Sequence, residues 1–190
     1  MAISQGAGVS LATGVRALLP PLFVGVLARA DAGIDFTGTG YAFLESIPWL
    51  AALLALVVML TLAERGGVAI PALVAGAVGV VIGALQFAGS LAAEGDSAAP
   101  GFVAGALCAA IGFLAAQAFF GRAESRARAG GEVEAASFVE VFAQGAALVL
   151  AAVAVFISPV AWLGFAFALW VLFVQRRRAG QKYEGLRILR

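Results

Sequence analysis

The sequence predicts an all-α protein: a polytopic transmembrane helical bundle of about six spans, forming a single domain over residues 1–190. Three observations carry this. Apolar residues make up 63% of the chain and charged residues 12%, against about 45–50% and about 25% in soluble domains. The apolar residues gather in uncharged runs, and crossing a hydrocarbon core takes about 20 helical residues. Outside those runs, the basic residues concentrate in alternate loops.

The first span covers 8–29 and is the unusual one. It contains Arg16, followed by Pro20-Pro21, so the helix is expected to break there. A cleaved signal peptide is not expected, because the n-region lacks positive charge and the apolar run holds an arginine and two prolines. The second span runs over 47–63, the third over 68–93 and the fourth over 99–121. Pro71 and Pro100 then fall in the first turns of the third and fourth, where a missing N–H costs nothing. A long apolar stretch follows and overshoots any bilayer, so it is divided at Ser158-Pro159 into spans 138–157 and 160–175. Five spans with one long bent helix is the alternative. A basic tail, 176–190, closes the chain.

Charge sets the orientation. Basic residues concentrate in cytoplasmic loops, so the tail with Arg176, Arg177 and Arg178 belongs inside. Six spans then place both termini in the cytoplasm. Of the 12 basic residues, all but Arg16 and Arg29 fall on that side. The outer loops instead carry Asp31, Asp35, Glu45, Glu94 and Asp96. Trp49 and Trp162 lie near the outer interface, where indole rings prefer to sit. Arg176, Arg177 and Arg178 read as a stop-transfer signal that also contacts lipid headgroups. The mixed-charge segment 122–137 reads as a solvated linker, with a short amphipathic extension of the fourth span as the alternative.

Small residues mark where helices touch. Ala75, Gly79 and Gly83 recur every fourth position, as do Gly101, Gly105 and Ala109. Such stripes let backbones approach closely where lipid abolishes the hydrophobic drive. The same segments share a repeat: Pro71-Ala72-Leu73-Val74-Ala75-Gly76-Ala77 against Pro100-Gly101-Phe102-Val103-Ala104-Gly105-Ala106. Matching pieces of opposite direction fit either an inverted-repeat architecture or convergence of small apolar residues.

Arg16 is the candidate site. A charge within hydrocarbon is costly and tends to mark function. Pro20 and Pro21 free the carbonyls of Arg16 and Ala17, and Thr13, Arg16 and Pro20 share one helix face. Broken helices persist at membrane depth only where buried in protein or lining a water-filled cavity. Glu64 is a candidate partner, and an Arg16–Glu64 pair makes a structural lock. An unpaired Arg16 makes an anion site, since its fork of donors fits carboxylate or phosphate. Snorkelling of Arg16 to the cytoplasmic interface is the third alternative.

Composition narrows the chemistry. There is no histidine, and Cys108 is the only cysteine. No metal site, cofactor site, nucleophile–base pair or deep carboxylate pair can be assembled, so catalysis is not expected. A net charge of +1 gives no basis for a nucleic-acid partner.

The opening Thr13-Gly14-Val15-Arg16-Ala17-Leu18-Leu19-Pro20-Pro21, continuing to Gly25-Val26-Leu27-Ala28-Arg29, resembles the start of a bacterial membrane family known as domain of unknown function 4126. Glu64, and Pro71 followed by Ala75-Gly76-Ala77, are similar to later positions of that family. Where its members often carry an aspartate after the glutamate, this chain has Arg65-Gly66-Gly67. The resemblance covers roughly the first 120 residues and implies a small polytopic protein of the bacterial cytoplasmic (inner) membrane, with no defined activity. The expected function is a transporter or channel for an anionic or neutral small solute, with its site near Arg16. The alternative is a non-transporting scaffold or accessory subunit. The lipid bilayer is the expected partner, with a homo-oligomer or a larger membrane complex as the setting.

Overall fold

The computed structural model describes residues 2–65 and 71–184, with no strand among them. Among the described residues eight α-helices follow one another: α1 (Ala2–Val15), α2 (Leu19–Arg29), α3 (Ile47–Arg65), α4 (Ala72–Ala93), α5 (Ala99–Ala116), α6 (Arg122–Ala129), α7 (Val133–Phe156) and α8 (Ala161–Glu184). A π-helical turn, Gln117–Gly121, joins α5 to α6. Short 3-10 turns lie at Ala42–Glu45 and Ser158–Val160.

Among the described residues, four helical segments are long and apolar enough to cross a membrane: Ala72–Ala93, Ala99–Ala127, Glu134–Phe156 and Ser158–Arg177. Leu19–Arg29 and Ile47–Ala63 are shorter apolar helices. The division at Ser158-Pro159 is present as the 3-10 turn between α7 and α8. Segment 122–137 is not a linker. Helix continues through the π-turn into α6, and only Gly130, Gly131 and Glu132 separate α6 from α7.

The first segment departs most from the expectation. Instead of one span over 8–29, α1 ends at Val15 and α2 begins at Leu19. The break precedes the prolines, which occupy the first turn of α2. Proline tolerates that position because its missing N–H would be unpaired there anyway. Its ring disfavours helix in the residue before it and clashes with the carbonyl four residues back, that of Arg16. Across the break the chain turns back on itself. Gln5 in the first turn of α1 donates from Nε2 to the carbonyls of Gly33 (2.6 Å), just past α2, and Val155 (3.3 Å), near the end of α7. At 14 and 11 residues, the two arms span about 21 and about 16 Å, short of a core about 30 Å thick.

This hairpin changes the layout of the ends. The Ala2 N–H donates to Glu94 Oε1 at 2.7 Å, at the C-terminal end of α4. The start of the chain therefore shares an end of the bundle with Asp31, Asp35, Glu45 and Glu94, which we term the acidic end. Helices α5 and α8 run away from it, so α8 finishes at the opposite, basic end, beside Arg122 and Arg126. Ala2 and Glu184 thus lie at opposite ends. In place of a first span over 8–29 the described residues hold a hairpin beside the longer helices.

Helix α1 sits at the centre, packed between α4, α5 and α7. It runs antiparallel to α4 and parallel to α5, and residues from Ala2 to Gly14 are mostly buried. A second cluster joins Val9, Ala12, Val24, Phe36, Ala154 and their neighbours, tying the hairpin to α7 and to the loop after α2. Helix α3 packs on α2 and the adjoining 3-10 turn, and most of its large apolar side chains face outward.

Candidate functional site

The interface of α1, α4 and α5 is built by close backbone approach. The Ser10 hydroxyl donates to the carbonyl of Gly83 at 2.7 Å, a contact open only because neither backbone is held off by side chains. Gly79 faces the Thr13 carbonyl and Ala17, and Gly83 faces Ala109 and Ser10. Gly101 lies against the backbone of Ala88, and Gly105 against Gly83 and Ala84. Both sequence stripes therefore lie at intrachain contacts, with Ala75 half-buried beside them.

The tightest contacts involve glycines outside those stripes. A Cβ on Gly14 would collide with the backbone carbonyl of Ala109, and one on Gly112 with that of Leu11. The signal was present in the sequence: Ala2, Gly6, Ser10 and Gly14 form their own four-residue ladder, and Cys108 and Gly112 stand four residues apart on the facing helix. Polar residues in and around α1 obscured it.

Buried polar groups in this core are satisfied. Thr13 Oγ1 lies 2.9 Å from the Val9 carbonyl and 2.7 Å from Gln86 Oε1. Ser90 donates to the carbonyl of Gln86 at 2.9 Å. No fully buried side-chain nitrogen or oxygen among the described residues is left without a partner.

Arg16 is different. It stands at the tip of the α1–α2 hairpin, its N–H bonded to the Ala12 carbonyl at 3.1 Å. Its side chain is half-buried. Among the described residues, no side chain or carbonyl hydrogen-bonds or ion-pairs with the guanidinium. Its neighbour Ala17 touches Gly79, seven residues into α4, so the tip lies about 10 Å below the start of that helix. Thr13 does not join Arg16: its hydroxyl is engaged with Val9 and Gln86. Pro20 is buried in the first turn of α2. Glu64 belongs to the last turn of α3, and its side chain lies outside the described residues, so the Arg16–Glu64 pair does too. Arg176 and Arg177 are exposed at the basic end, and the Arg178 side chain is also outside the described residues.

Two open clefts of ≈430 Å³ each lie at opposite ends of the bundle. One, at the basic end, lies between α6 and α7 and includes Arg126, Glu132 and Val139. The other, at the acidic end, includes Gln5, Asp31, Asp35, Ser90 and Glu94. Arg16 lines neither. Near the acidic cleft, the Thr37 hydroxyl and then its backbone N–H, at 2.7 Å, hold the Asp35 carboxyl below its ordinary value. No group of three or more metal-ligating side chains occurs among the described residues.

Fold and site together define, among the described residues, an all-helical protein in which helices long and apolar enough to cross a membrane surround a short, broken, glycine-packed hairpin. Compared with protein-family models, with curated proteins and with solved structures, the chain matches none of them.

Proposed function

We propose that this chain is a multi-pass protein of the bacterial cytoplasmic membrane, related to domain of unknown function 4126, that binds and conducts a small anion at Arg16. The observation that carries the reading is the half-buried guanidinium at the hairpin tip with no protein partner among the described residues. An arginine held at membrane depth is costly unless water, a counter-ion or a ligand meets its charge. Its planar fork of donors suits a carboxylate or phosphate oxygen pair. The proline-broken backbone beside it supplies further polar groups, and such breaks suit elements that line a water-filled path. In this reading the basic end faces the cytoplasm, and α3 crosses the bilayer as a fifth helix outside the hairpin.

The test is flux in proteoliposomes loaded with chloride, phosphate or a small carboxylate. Arg16→Ala should abolish flux of the conducted anion, and Arg16→Lys should keep part of it. Flux that is absent for every anion, or that survives Arg16→Ala, overturns the reading. The second reading, a non-transporting scaffold, is favoured by the satisfied, tightly packed α1–α4–α5 core. It is the outcome left by a protein that folds normally and conducts nothing.

A further inference from the structure

Two stretches of arginine far apart in sequence reach the same, basic end of the bundle. In the π-turn that follows α5, the Ala118 carbonyl accepts a bond from Gln175 Nε2 of α8. That bond fixes the register of the two parallel helices. It brings Arg122, one turn beyond Ala118, to the same end of the bundle as Arg176 and Arg177, which directly follow Gln175, with an axial offset of about 3–5 Å. All three are solvent-exposed, and among the described residues none of them ion-pairs with a carboxylate.

Below these charges lies an aromatic surface. The Arg177 guanidinium sits 4.5 Å from the centroid of the Phe173 ring. Trp170 stacks on Phe167 with centroids 5.9 Å apart, and Phe167 meets Phe119 of the π-turn at 6.4 Å. Phe119, Phe167, Trp170 and Phe173 are each more than half exposed. Arginine over aromatic rings at the end of a membrane-crossing helix matches the layers of a phospholipid: phosphate outermost, then glycerol backbone, then acyl chain. Positive charge at this level selects anionic headgroups, whereas aromatic rings alone accept any lipid.

We propose that the seam between α5 and α8 at the basic end is a binding site for an anionic phospholipid, its phosphate on Arg122, Arg176 and Arg177 and its chains on Phe167, Trp170 and Phe173. The Gln175–Ala118 bond makes the site by holding the two arginine groups within about a helical turn of each other along the seam. The site is separate from Arg16 and stands or falls independently of anion conduction.

Trp170 is a natural reporter. In the full chain carrying Trp49→Phe and Trp162→Phe, it is the only tryptophan left, and lipids brominated on the acyl chain quench it on contact. Brominated phosphatidylglycerol should quench more strongly than brominated phosphatidylcholine at equal mole fraction. Removing arginines by Arg122→Gln and Arg177→Gln should weaken that preference about five-fold for each residue. Arg29→Gln, at the acidic end, should leave it unchanged. Equal quenching by the two lipids, or a preference that survives loss of both arginines, overturns the proposal. Native mass spectrometry of the unsubstituted protein gives a readout that does not depend on the tryptophan variants. Retained phosphatidylglycerol adducts, lost with the arginines, are expected, and their absence in the unsubstituted protein counts against the site.

Discussion

Helices α1 and α3 reverse the arrangement expected in a soluble protein. Helix α1 carries Gln5, Ser10, Thr13 and the glycines Gly6, Gly8 and Gly14, yet it is the buried centre of the bundle. Helix α3 is rich in leucine and valine, and among its described residues only Leu53 is buried. In water, burial follows apolar area. In lipid the surroundings are as apolar as leucine, so area gives no preference for the interior. What draws α1 inward is the depth of van der Waals contact allowed by residues without bulk, together with the bonds Ser10 and Thr13 make across the helix boundary.

The comparison breaks first at Gly14. A side chain there meets the Ala109 backbone, which has no rotamer to yield, so α1 and α5 must separate. Gly14→Val is expected to destabilise the protein by about 3 kcal/mol or more. Leu54, 53% exposed on α3, is the contrast, and Leu54→Ala should stay within about 0.5 kcal/mol. Unfolding by SDS titration in mixed micelles compares the two directly. Equal losses would show that the outer face of α3 is buried against another subunit and that α3 is not a lipid-facing limb.

How much of this was legible in the sequence follows from the same physics. Helix class and the turn at Ser158-Pro159 came through, because each depends on local composition. The reversal at Arg16 did not. Hydropathy reads 8–29 as one continuous run, and direction is fixed only by tertiary bonds such as Gln5 to Gly33 and Ala2 to Glu94. The prolines pointed to a break but misplaced it, because proline disturbs the residues before it and then starts a helix of its own. The small-residue stripes on α4 and α5 were visible. The ladder on α1 was hidden by the polar residues that make it the core.

Hydroxyls sharpen the comparison at smaller scale. Thr13 and Thr61 both lie close to the carbonyl four residues back, at 2.9 and 2.8 Å. Only Thr13 adds a partner on another helix, Gln86. Thr13→Val should cost about 0.6 kcal/mol, the mean worth of an interhelical bond in a membrane. Thr61→Val, exposed on α3, should cost nothing measurable in the same titration. A larger loss at Thr61 would mean that its hydroxyl meets a partner outside this chain.

The smallest effect lies in the loop that joins the two regions, from α2 to α3. The Thr37 hydroxyl and its N–H favour the ionised form of Asp35, whose carboxyl is held below its ordinary 3.8. The same hydroxyl reaches Glu45 Oε1 at 3.0 Å, and the Phe36 N–H reaches Glu45 Oε2 at 3.2 Å. A carboxyl with a lowered folded pKa contributes fully above its unfolded value, and that contribution is lost as pH falls through the folded one. The amide resonance of Thr37 should therefore shift with a midpoint below pH 3.8, and the shift should vanish in Asp35→Asn. Because Asp35 is exposed, screening by water keeps the consequence local. Resonances of α1 from Gly6 to Gly14 should not follow that titration, since that stretch meets no carboxylate among the described residues; Ala2, whose N–H bonds Glu94, lies outside it. An α1 that loosened at the same midpoint would tie the central hairpin to this loop more strongly than the packing of Phe36 against Val9 and Val24 implies.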